Sequence, residues 1–243
     1  MGFVVGAVAC AGTPPDTAGS TPPKAATSSP SKGRAEARAA VPDRINDRWK
    51  RSDGPSAVEV LERDGREVYE ARAAILEVLD LRPGQAVADI GAGSGLFTQL
   101  FAQSVGKTGA VFAVDIGEKM LAYIAKSAEK AGRTQVRTVL GTAKSARLPP
   151  DSVDMIFVSD TYHHFEYPQS MLASMRRALR PNGRLVIIDF ERIEGVSSDW
   201  LLKHVRAGKA VVIEEIEAAG FRKNGEVDVP GLEENYFVEF KKI

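Results

Sequence analysis

Three glycines at alternate positions follow an acidic residue in the stretch VADIGAGSGLFTQLF. Glycine lets backbone N–H groups approach a ligand where a Cβ would collide, and a following helix adds the positive end of its dipole. The segment around Gly91, Gly93 and Gly95 is therefore predicted to cradle a ligand. Asp89, just before these glycines, would repel a pyrophosphate but can orient a cationic amino-acid group.

The spacing of the glycines separates two classes of nucleotide site. The dinucleotide fingerprint has its third glycine three residues after the second, and Leu96 occupies that position here. Asp115 ends the next predicted strand, where a carboxylate can accept hydrogen bonds from both ribose hydroxyls of either kind of cofactor. Leu96 and Asp89 favour S-adenosylmethionine over NAD. Ile116 and Met120 are predicted to cover one adenine face, or else to pack between helix and sheet.

Candidate reacting groups follow the strand VDMIFV in the segment SDTYHHF. Ligands bind at the carboxyl edge of parallel strands, so Ser159 and Asp160 are predicted near the methionine end of the cofactor. Tyr162, His163 and His164 are predicted to face an acceptor. Methyl transfer from a sulfonium needs mainly in-line positioning and desolvation, and a histidine can add general-base catalysis. Helix capping or packing is the alternative role for both histidines.

A second group of candidates lies outside that segment. Trp200, His204 and Arg206 are spaced to share one helical face, which can hold an anionic or aromatic acceptor or pack the helix. Tyr69 and Trp49, before the first strand, are predicted to close the site from the other side, with core packing as the alternative for Tyr69. Without an H-x-x-x-H motif or carboxylate cluster, a metal-independent reaction is predicted.

Helix and strand patterns alternate along the segment that must position these groups. Continuous apolar strands separated by helices indicate a parallel sheet covered on both faces. The last two strand candidates, FRKNGEVDV and ENYFVEFKK, are joined by a connection too short for a crossover and should pair antiparallel. The sequence predicts an α/β, Rossmann-like fold with a seven-stranded, mostly parallel sheet, a C-terminal antiparallel β-hairpin and helices on both faces. Residues 41–82 are predicted to form an N-terminal helical cap with a break at Gly65.

The composition excludes several classes of function. Lysine plus arginine equals aspartate plus glutamate at 32 each, so no global field favours nucleic acid. Cys10 is the only cysteine, which excludes an intramolecular disulfide, a cysteine-rich zinc site and thiol catalysis in the folded domain. A run of about 18 apolar residues, as a membrane-spanning helix needs, does not occur.

The first forty residues have a different composition. Residues 1–10, MGFVVGAVAC, resemble the end of a bacterial lipoprotein signal, and residues 11–40 are predicted to be a disordered linker rich in proline, serine, threonine and alanine. This predicts a lipid anchor at Cys10 and a location at the cell envelope. The alternative is the disordered tail of a cytoplasmic protein.

From about Glu67 onward the chain resembles class I S-adenosylmethionine-dependent methyltransferases of the group that includes ubiquinone and menaquinone biosynthesis enzymes. The matching pieces are VADIGAGSG, AVDI, LPPDSVDMIFVSDTYHHF and MRRALRPNGRLVIIDF. The resemblance implies that residues 83–243 form a methyltransferase domain. It also implies that Thr142 and Ala143 stand where many relatives place an aspartate on the adenine amino group, so that backbone groups or the Thr142 hydroxyl substitute. The cofactor contacts expected are Asp89, Gly91, Ala92, Gly93, Gly95, Asp115, Ile116, Met120, Thr142, Ala143, Ser159 and Asp160.

The function predicted is therefore methyl transfer to a small-molecule acceptor without a metal. Two alternatives belong to other classes. One is a catalytically silent cofactor-binding sensor or accessory lipoprotein, because an exported enzyme would lack a supply of S-adenosylmethionine. The other is an NAD-dependent oxidoreductase, which Leu96 and the terminal hairpin disfavour.

Overall fold

The computed structural model describes residues 39–42 and 44–243. In this part of the chain a seven-stranded sheet has the order β3-β2-β1-β4-β5-β7-β6. The strands are β1 (Ala86–Ile90), β2 (Ala110–Asp115), β3 (Val136–Leu140), β4 (Val153–Ser159), β5 (Leu179–Phe190), β6 (Phe221–Glu226) and β7 (Asn235–Lys242). The predicted fold class is confirmed.

Helices cover both faces of the sheet. Because successive side chains of a strand point to opposite faces, Ala86, Ala88 and Ile90 of β1 lie in one buried cluster and Val87 in the other. Leu172 and Ile216, from two helices on one face, pack in the first cluster. Ile75 and Phe101, from two helices on the other face, pack in the second. Their helices, in the same order, are α7 (Pro168–Ala178), α9 (Lys209–Ala218), α4 (Arg72–Leu79) and α5 (Leu96–Val105).

The strand order places a crevice at one edge of the sheet. β1 pairs in parallel with β2 on one side and β4 on the other, so the chain leaves β1 and β4 in opposite directions along the sheet. In open α/β sheets this switch point, beyond the carboxyl ends of the strands, is where ligands bind. The remaining crossover helix beside it is α6 (Glu118–Lys130), between β2 and β3.

The C-terminal hairpin closes the other end of the sheet. β7 pairs antiparallel with β6, as the short connection between them predicted, and it also runs antiparallel to β5. β6 ends at Glu226, three residues before the predicted Val229. The residues Pro181, Asn182 and Gly183, a sequence typical of a turn, lie inside β5. Residues 180–183 form an irregularity there, and the pairing passes from Val153–Leu179 to Met155–Arg184.

Short helices precede the sheet. They are α1 (Asp47–Arg51), α2 (Gly54–Leu61) and α3 (Glu67–Glu70), with α4 following directly, and α2 and α3 are separated at Gly65, which has a φ of +79°. The Glu67 carboxylate accepts hydrogen bonds from the backbone N–H groups of Glu233, Glu234 and Asn235. This contact ties the helical segment to the loop before β7.

The N-terminal predictions concern a different part of the chain. The anchor at Cys10, residues 1–10 and residues 11–38 of the linker lie outside the described residues. Within the described residues, no helix combines the length and the apolar character that crossing a bilayer requires.

Candidate functional site

An open cleft of about 810 Å³ lies beyond the carboxyl ends of β1, β2 and β4. The structure brings together nine of the twelve positions expected to contact a cofactor. They are Gly91, Gly93, Asp115, Ile116, Met120, Thr142, Ala143, Ser159 and Asp160.

The glycine loop after β1 forms the floor of the cleft. Gly91 has a φ of +75°, and a Cβ there would lie 2.4 Å from the side chain of Thr161. Its backbone N–H donates to the carbonyl of Val114 at 2.8 Å, so the loop is held against β2. Gly95 serves as the N-cap of α5 and does not line the cleft. Bare backbone is therefore required at Gly91 by both its conformation and its neighbour.

Asp115 holds this loop from the end of β2. Its Oδ2 accepts from the N–H of Gly93 at 2.9 Å, and its Oδ1 accepts from the N–H of Gly117 at 2.8 Å. Burial raises the pKa of the carboxyl group, an effect that the two backbone donors oppose. A carboxylate has further acceptor sites, so the ribose contact predicted for Asp115 stays a prediction beside this observed role.

Asp89 lies one layer behind the cleft. It borders an adjoining cavity of about 340 Å³, together with Ala92 and Ser159. Its Oδ2 accepts from the hydroxyl of Thr98 at 2.7 Å. Burial raises the pKa of Asp89 to about 7, because desolvation outweighs that hydrogen bond. A positively charged ligand group nearby would favour its ionised form.

Ser159, the last residue of β4, and Asp160, the next residue, differ in their hydrogen bonding. Asp160, with a φ of +43°, pairs with Arg66 at 2.7 Å and accepts from the side-chain amide of Asn235 at 2.7 Å. The Ser159 Oγ is buried and has no hydrogen-bond partner among the described residues. Since Ser159 borders both cavities, its hydroxyl is available to a ligand.

His163 and Asp189 form a buried dyad beside the cleft. The Nδ1 of His163 lies 2.7 Å from the Oδ1 of Asp189, and its backbone N–H donates to the Oδ2 at 3.0 Å. Burial lowers the pKa of His163, but the Asp189 carboxylate outweighs it and the net direction is upward. Burial alone would raise the pKa of Asp189, but the charge and hydrogen bond of His163 outweigh burial, so the pKa of Asp189 is lowered overall.

His164 lines the cleft itself. Its Nδ1 is buried without a hydrogen-bond partner among the described residues. Burial, followed by the positive charges that His163 and His204 can carry, lowers the pKa of His164 to about 3. The ring is therefore neutral near pH 7 and can accept a proton only weakly.

The third histidine joins the other two. The ring of His204 lies 5.1 Å from that of His163 and 5.0 Å from that of His164, and it stacks on Trp200 at 4.8 Å. One nitrogen from each histidine lies within 4.8 Å of the others. The sequence has no metal-binding motif, and the three histidines meet because α8 (Asp199–His204) folds back onto the loop after β4. The predicted metal-independent reaction stays a prediction.

Other candidates lie away from the cleft. Tyr162 is buried and its hydroxyl donates to Glu215 at 2.8 Å, so its predicted orientation toward the acceptor is wrong. Arg206 pairs with the same carboxylate at 2.6 Å and lies beyond the end of α8, so it does not share a helical face with Trp200. Tyr69 packs under the Arg72 guanidinium, 4.3 Å from the ring centroid, and does not line the cleft.

The structure adds residues that the sequence interpretation missed. Trp49 lines the cleft as expected, accompanied by Asn46, Arg66 and Glu166. The side-chain amide of Asn46 donates to the carbonyl of His164 at 3.1 Å and to Glu166 at 2.9 Å. A signal existed for Asp189, which lies one residue before the end of β5, much as Asp115 ends β2. Asn46 and Arg66 come from segments with no local motif.

Acidic side chains outnumber basic ones around the two cavities. Four carboxyl groups border them against the single guanidinium of Arg66. Apolar side chains supply the rest of the wall, including Ile90, Val114, Ile116 and Met120. This arrangement suits a ligand with apolar surface and positive charge better than a pyrophosphate. The carboxyl groups are Asp89, Asp115, Asp160 and Glu166.

Comparison with known proteins identifies similar chains. Residues 88–187 match the family described as a methyltransferase domain. The ubiquinone/menaquinone biosynthesis C-methyltransferase UbiE of Burkholderia mallei is 31% identical over 121 residues, which cover 47% of this chain and 46% of that protein. The match thus spans about half the length of the curated relatives.

Solved structures resemble a larger part of the chain. A SAM dependent methyltransferase from Aquifex aeolicus superposes with a TM-score of 0.68 at 27% identity, covering 78% of this chain and 98% of that one. The [4+2]-cyclase SpnF shares the fold with a TM-score of 0.61 at 17% identity, covering 74% of this chain and 84% of that one.

Proposed function

Since the chain belongs to the class I S-adenosylmethionine-dependent methyltransferases, we propose that it transfers a methyl group from this cofactor to a small-molecule acceptor. The single observation that carries the proposal is the acidic cleft over the glycine loop. It combines bare backbone at Gly91, a buried unpartnered hydroxyl at Ser159 and carboxyl groups from three strand ends.

These residues fit the cofactor by the chemistry of their donors and acceptors. Its sulfonium and ammonium groups are positive, which matches the excess of carboxyl groups around the cleft. Asp115 and Thr142 would hold the nucleoside, and Ile116 and Met120 give apolar surface for the adenine. The same negative charges oppose the pyrophosphate of NAD.

When bound, S-adenosylmethionine supplies an electrophilic methyl group on a good leaving group. The protein itself has to orient an acceptor in line with the methyl group and to exclude water. Asp160, fixed by Arg66 and Asn235, keeps the loop after β4 in place against the cleft. Ser159, one residue earlier, offers its free hydroxyl to the cofactor or the acceptor.

The acceptor is proposed to bind between the first helix and the loop after β4. Trp49, Phe165 and Met171 give this part of the cleft apolar walls, and His164 places the only imidazole of the described residues that lines it. The Trp49 and His164 rings contact edge to face at 6.3 Å. The neutral imidazole can accept a hydrogen bond from the nucleophile of the acceptor, which would orient it toward the methyl group.

Binding is tested by thermal shift of the full chain. S-adenosylhomocysteine should raise the melting temperature and NAD should not, because only a ligand of the native state stabilises it. Stabilisation by NAD alone would overturn the assignment of the cofactor.

Turnover requires a second measurement. S-adenosylmethionine with a radiolabelled methyl group, incubated with the chain and a pooled metabolite extract, should transfer label to a small molecule. The Gly91→Ala variant serves as the blank. Tight binding of S-adenosylhomocysteine without transfer to any pool would instead favour the silent cofactor-binding alternative.

A further inference from the structure

All three histidines of the chain meet beside the cleft, although His204 is distant in sequence from His163 and His164. One ring nitrogen of each lies within 4.8 Å of the corresponding nitrogen of the other two. The rings approach one another at angles of 41° to 71°, so they are not simply stacked as a packing cluster of parallel rings. Three imidazole nitrogens this close together are a candidate donor set for a metal ion.

The second contact of His163 supports this interpretation. Its Nδ1 is held at 2.7 Å by the Asp189 carboxylate, which also accepts from the His163 backbone N–H at 3.0 Å. An ionised carboxylate requires the proton on Nδ1, which leaves the lone pair of Nε2 free. Histidine ligands of metals commonly have this carboxylate contact, since it fixes the ring and raises the basicity of the ligating nitrogen.

His164 contributes an independent observation. Its Nδ1 is buried and has no hydrogen-bond partner among the described residues. A buried polar atom without a partner destabilises the folded state, and an ion bound at this nitrogen would satisfy it. His204 lies at the end of α8 with one face stacked on Trp200, so its ring is oriented but still half-exposed.

We propose that His163, His164 and His204 bind one divalent transition-metal ion of the Zn²⁺ type. Imidazole nitrogens suit zinc, copper, iron and nickel rather than magnesium or calcium, and three histidines leave a coordination position open. The carboxylates of Asp160 and Asp189 lie close enough to interact with His163 and offset the charge of the ion. The nearby Arg206 is paired with Glu215.

Binding requires a modest contraction of the cluster. Ligands of a tetrahedral zinc ion lie about 3.3 Å apart, given zinc to nitrogen bonds of about 2.0–2.1 Å. His204 can supply the movement, because α8 is a single short helix and the ring is not fully enclosed. His164 also lines the cleft proposed for the acceptor, so the metal site shares this residue with the proposed function on which it partly rests, and Zn²⁺ binding is measured without cofactor or acceptor so that the two can fail separately.

The test is a titration of the full chain, purified without a histidine tag and freed of metal by a chelator that is then removed. Zn²⁺ alone, in competition with a chromophoric chelator, should bind with a stoichiometry of about one, and Co²⁺ should give a visible absorption band of a low-coordinate site. His204→Gln should weaken Zn²⁺ binding at least about tenfold, since it removes one of three ligands. Asp189→Asn should weaken it by about 10–100-fold, because an amide donor on Nδ1 selects the wrong tautomer.

Cys10→Ser is the matched control, because a thiol is the other strong zinc ligand of the chain. It should leave the Zn²⁺ affinity unchanged. Binding of S-adenosylhomocysteine, measured on each variant, reports whether the domain is folded and separates failure of the metal site from failure of the proposed function. Absence of stoichiometric Zn²⁺ binding by a folded chain, or equal affinity of the folded His204→Gln variant, would overturn the proposal.

Discussion

Arg66, before the first turn of α3, donates to the Asp160 carboxylate after β4 at a distance of 2.7 Å. The Asp160 side chain is 6% exposed and that of Arg66 is 21% exposed, so the pair lies largely out of water. This contact joins the helices before the sheet to the loop that carries His164. The ion pair thus holds the cleft wall formed by the helices before the sheet against the wall formed by the loop after β4.

Arg66→Ala should destabilise the fold by about 3 kcal/mol, because it leaves the Asp160 carboxyl group buried without its cationic partner. Burial already raises the pKa of Asp160, and Arg66 is the largest influence that lowers it. Urea unfolding measures the change. Arg63→Ala, at an exposed position in the same turn, is the control and should cost less than about 0.5 kcal/mol. Equal effects of the two variants would show that the ion pair does not stabilise the fold.

Gly91→Ala should lower the affinity for S-adenosylhomocysteine at least about tenfold. The added Cβ would lie 2.4 Å from Thr161 and sit on backbone with positive φ, so the loop must move. Calorimetric titration gives the affinity. Gly65→Ala is matched in φ, at +79°, but its Cβ meets nothing within 4 Å. It should cost about 1–2 kcal/mol of stability and leave the affinity unchanged.

Asp89→Asn should stabilise the chain more at pH 8 than at pH 5. Burial raises the pKa of Asp89 from 3.8 to about 7 in the folded state. Between these values the unfolded chain loses a proton that the folded chain keeps, so the carboxyl group lowers stability as pH rises. The amide removes this cost. Urea unfolding of both chains from pH 5 to pH 8 should show a growing difference that levels off above about pH 7. A pH-independent difference would contradict the prediction.

The affinity for S-adenosylhomocysteine should fall as the pH drops below about 7. The ammonium group of the ligand favours the ionised form of Asp89. Below the Asp89 pKa of about 7, binding must therefore first remove the proton from this carboxyl group. The expected loss approaches about tenfold per pH unit, and calorimetry at several pH values measures it. The Asp89→Asn variant should bind with little change over the same range. A slope that persists in this variant would assign the effect to another group.

His164→Gln should reduce transfer of the radiolabelled methyl group by about tenfold, because it removes the imidazole that orients the nucleophile, while the affinity for S-adenosylhomocysteine stays within about twofold. Tyr162→Phe is the control from the same turn, because the Tyr162 hydroxyl donates to Glu215 away from the cleft. It should retain transfer. Loss of transfer in Tyr162→Phe with His164→Gln active would reverse the two assignments.

The elements of the sheet were predictable because their signals are local. Continuous apolar runs such as those of β1 and β4 need burial on both faces, and this holds whatever the neighbouring strands are. The antiparallel pairing of β6 and β7 followed from the short connection between them. The irregularity at residues 180–183 was not predictable, since Asn182 takes a φ of +66° within β5, between the Val153–Leu179 and Met155–Arg184 pairs with β4.

The sequence by itself determined the fold class and the ligand class, because the glycine loop, Asp89 and Asp115 lie within a few residues of the strands that position them. Only the tertiary structure decided which side chains share the cleft. Arg66 and Asn46 reach it from helices that carry no motif, and Tyr162 turns away toward Glu215. The meeting of His163, His164 and His204 depends on α8 folding back beside β5, whose end places Asp189 against His163. Contacts between segments so far apart depend on how the elements pack, so they produce no residue spacing that can be recognised in the sequence.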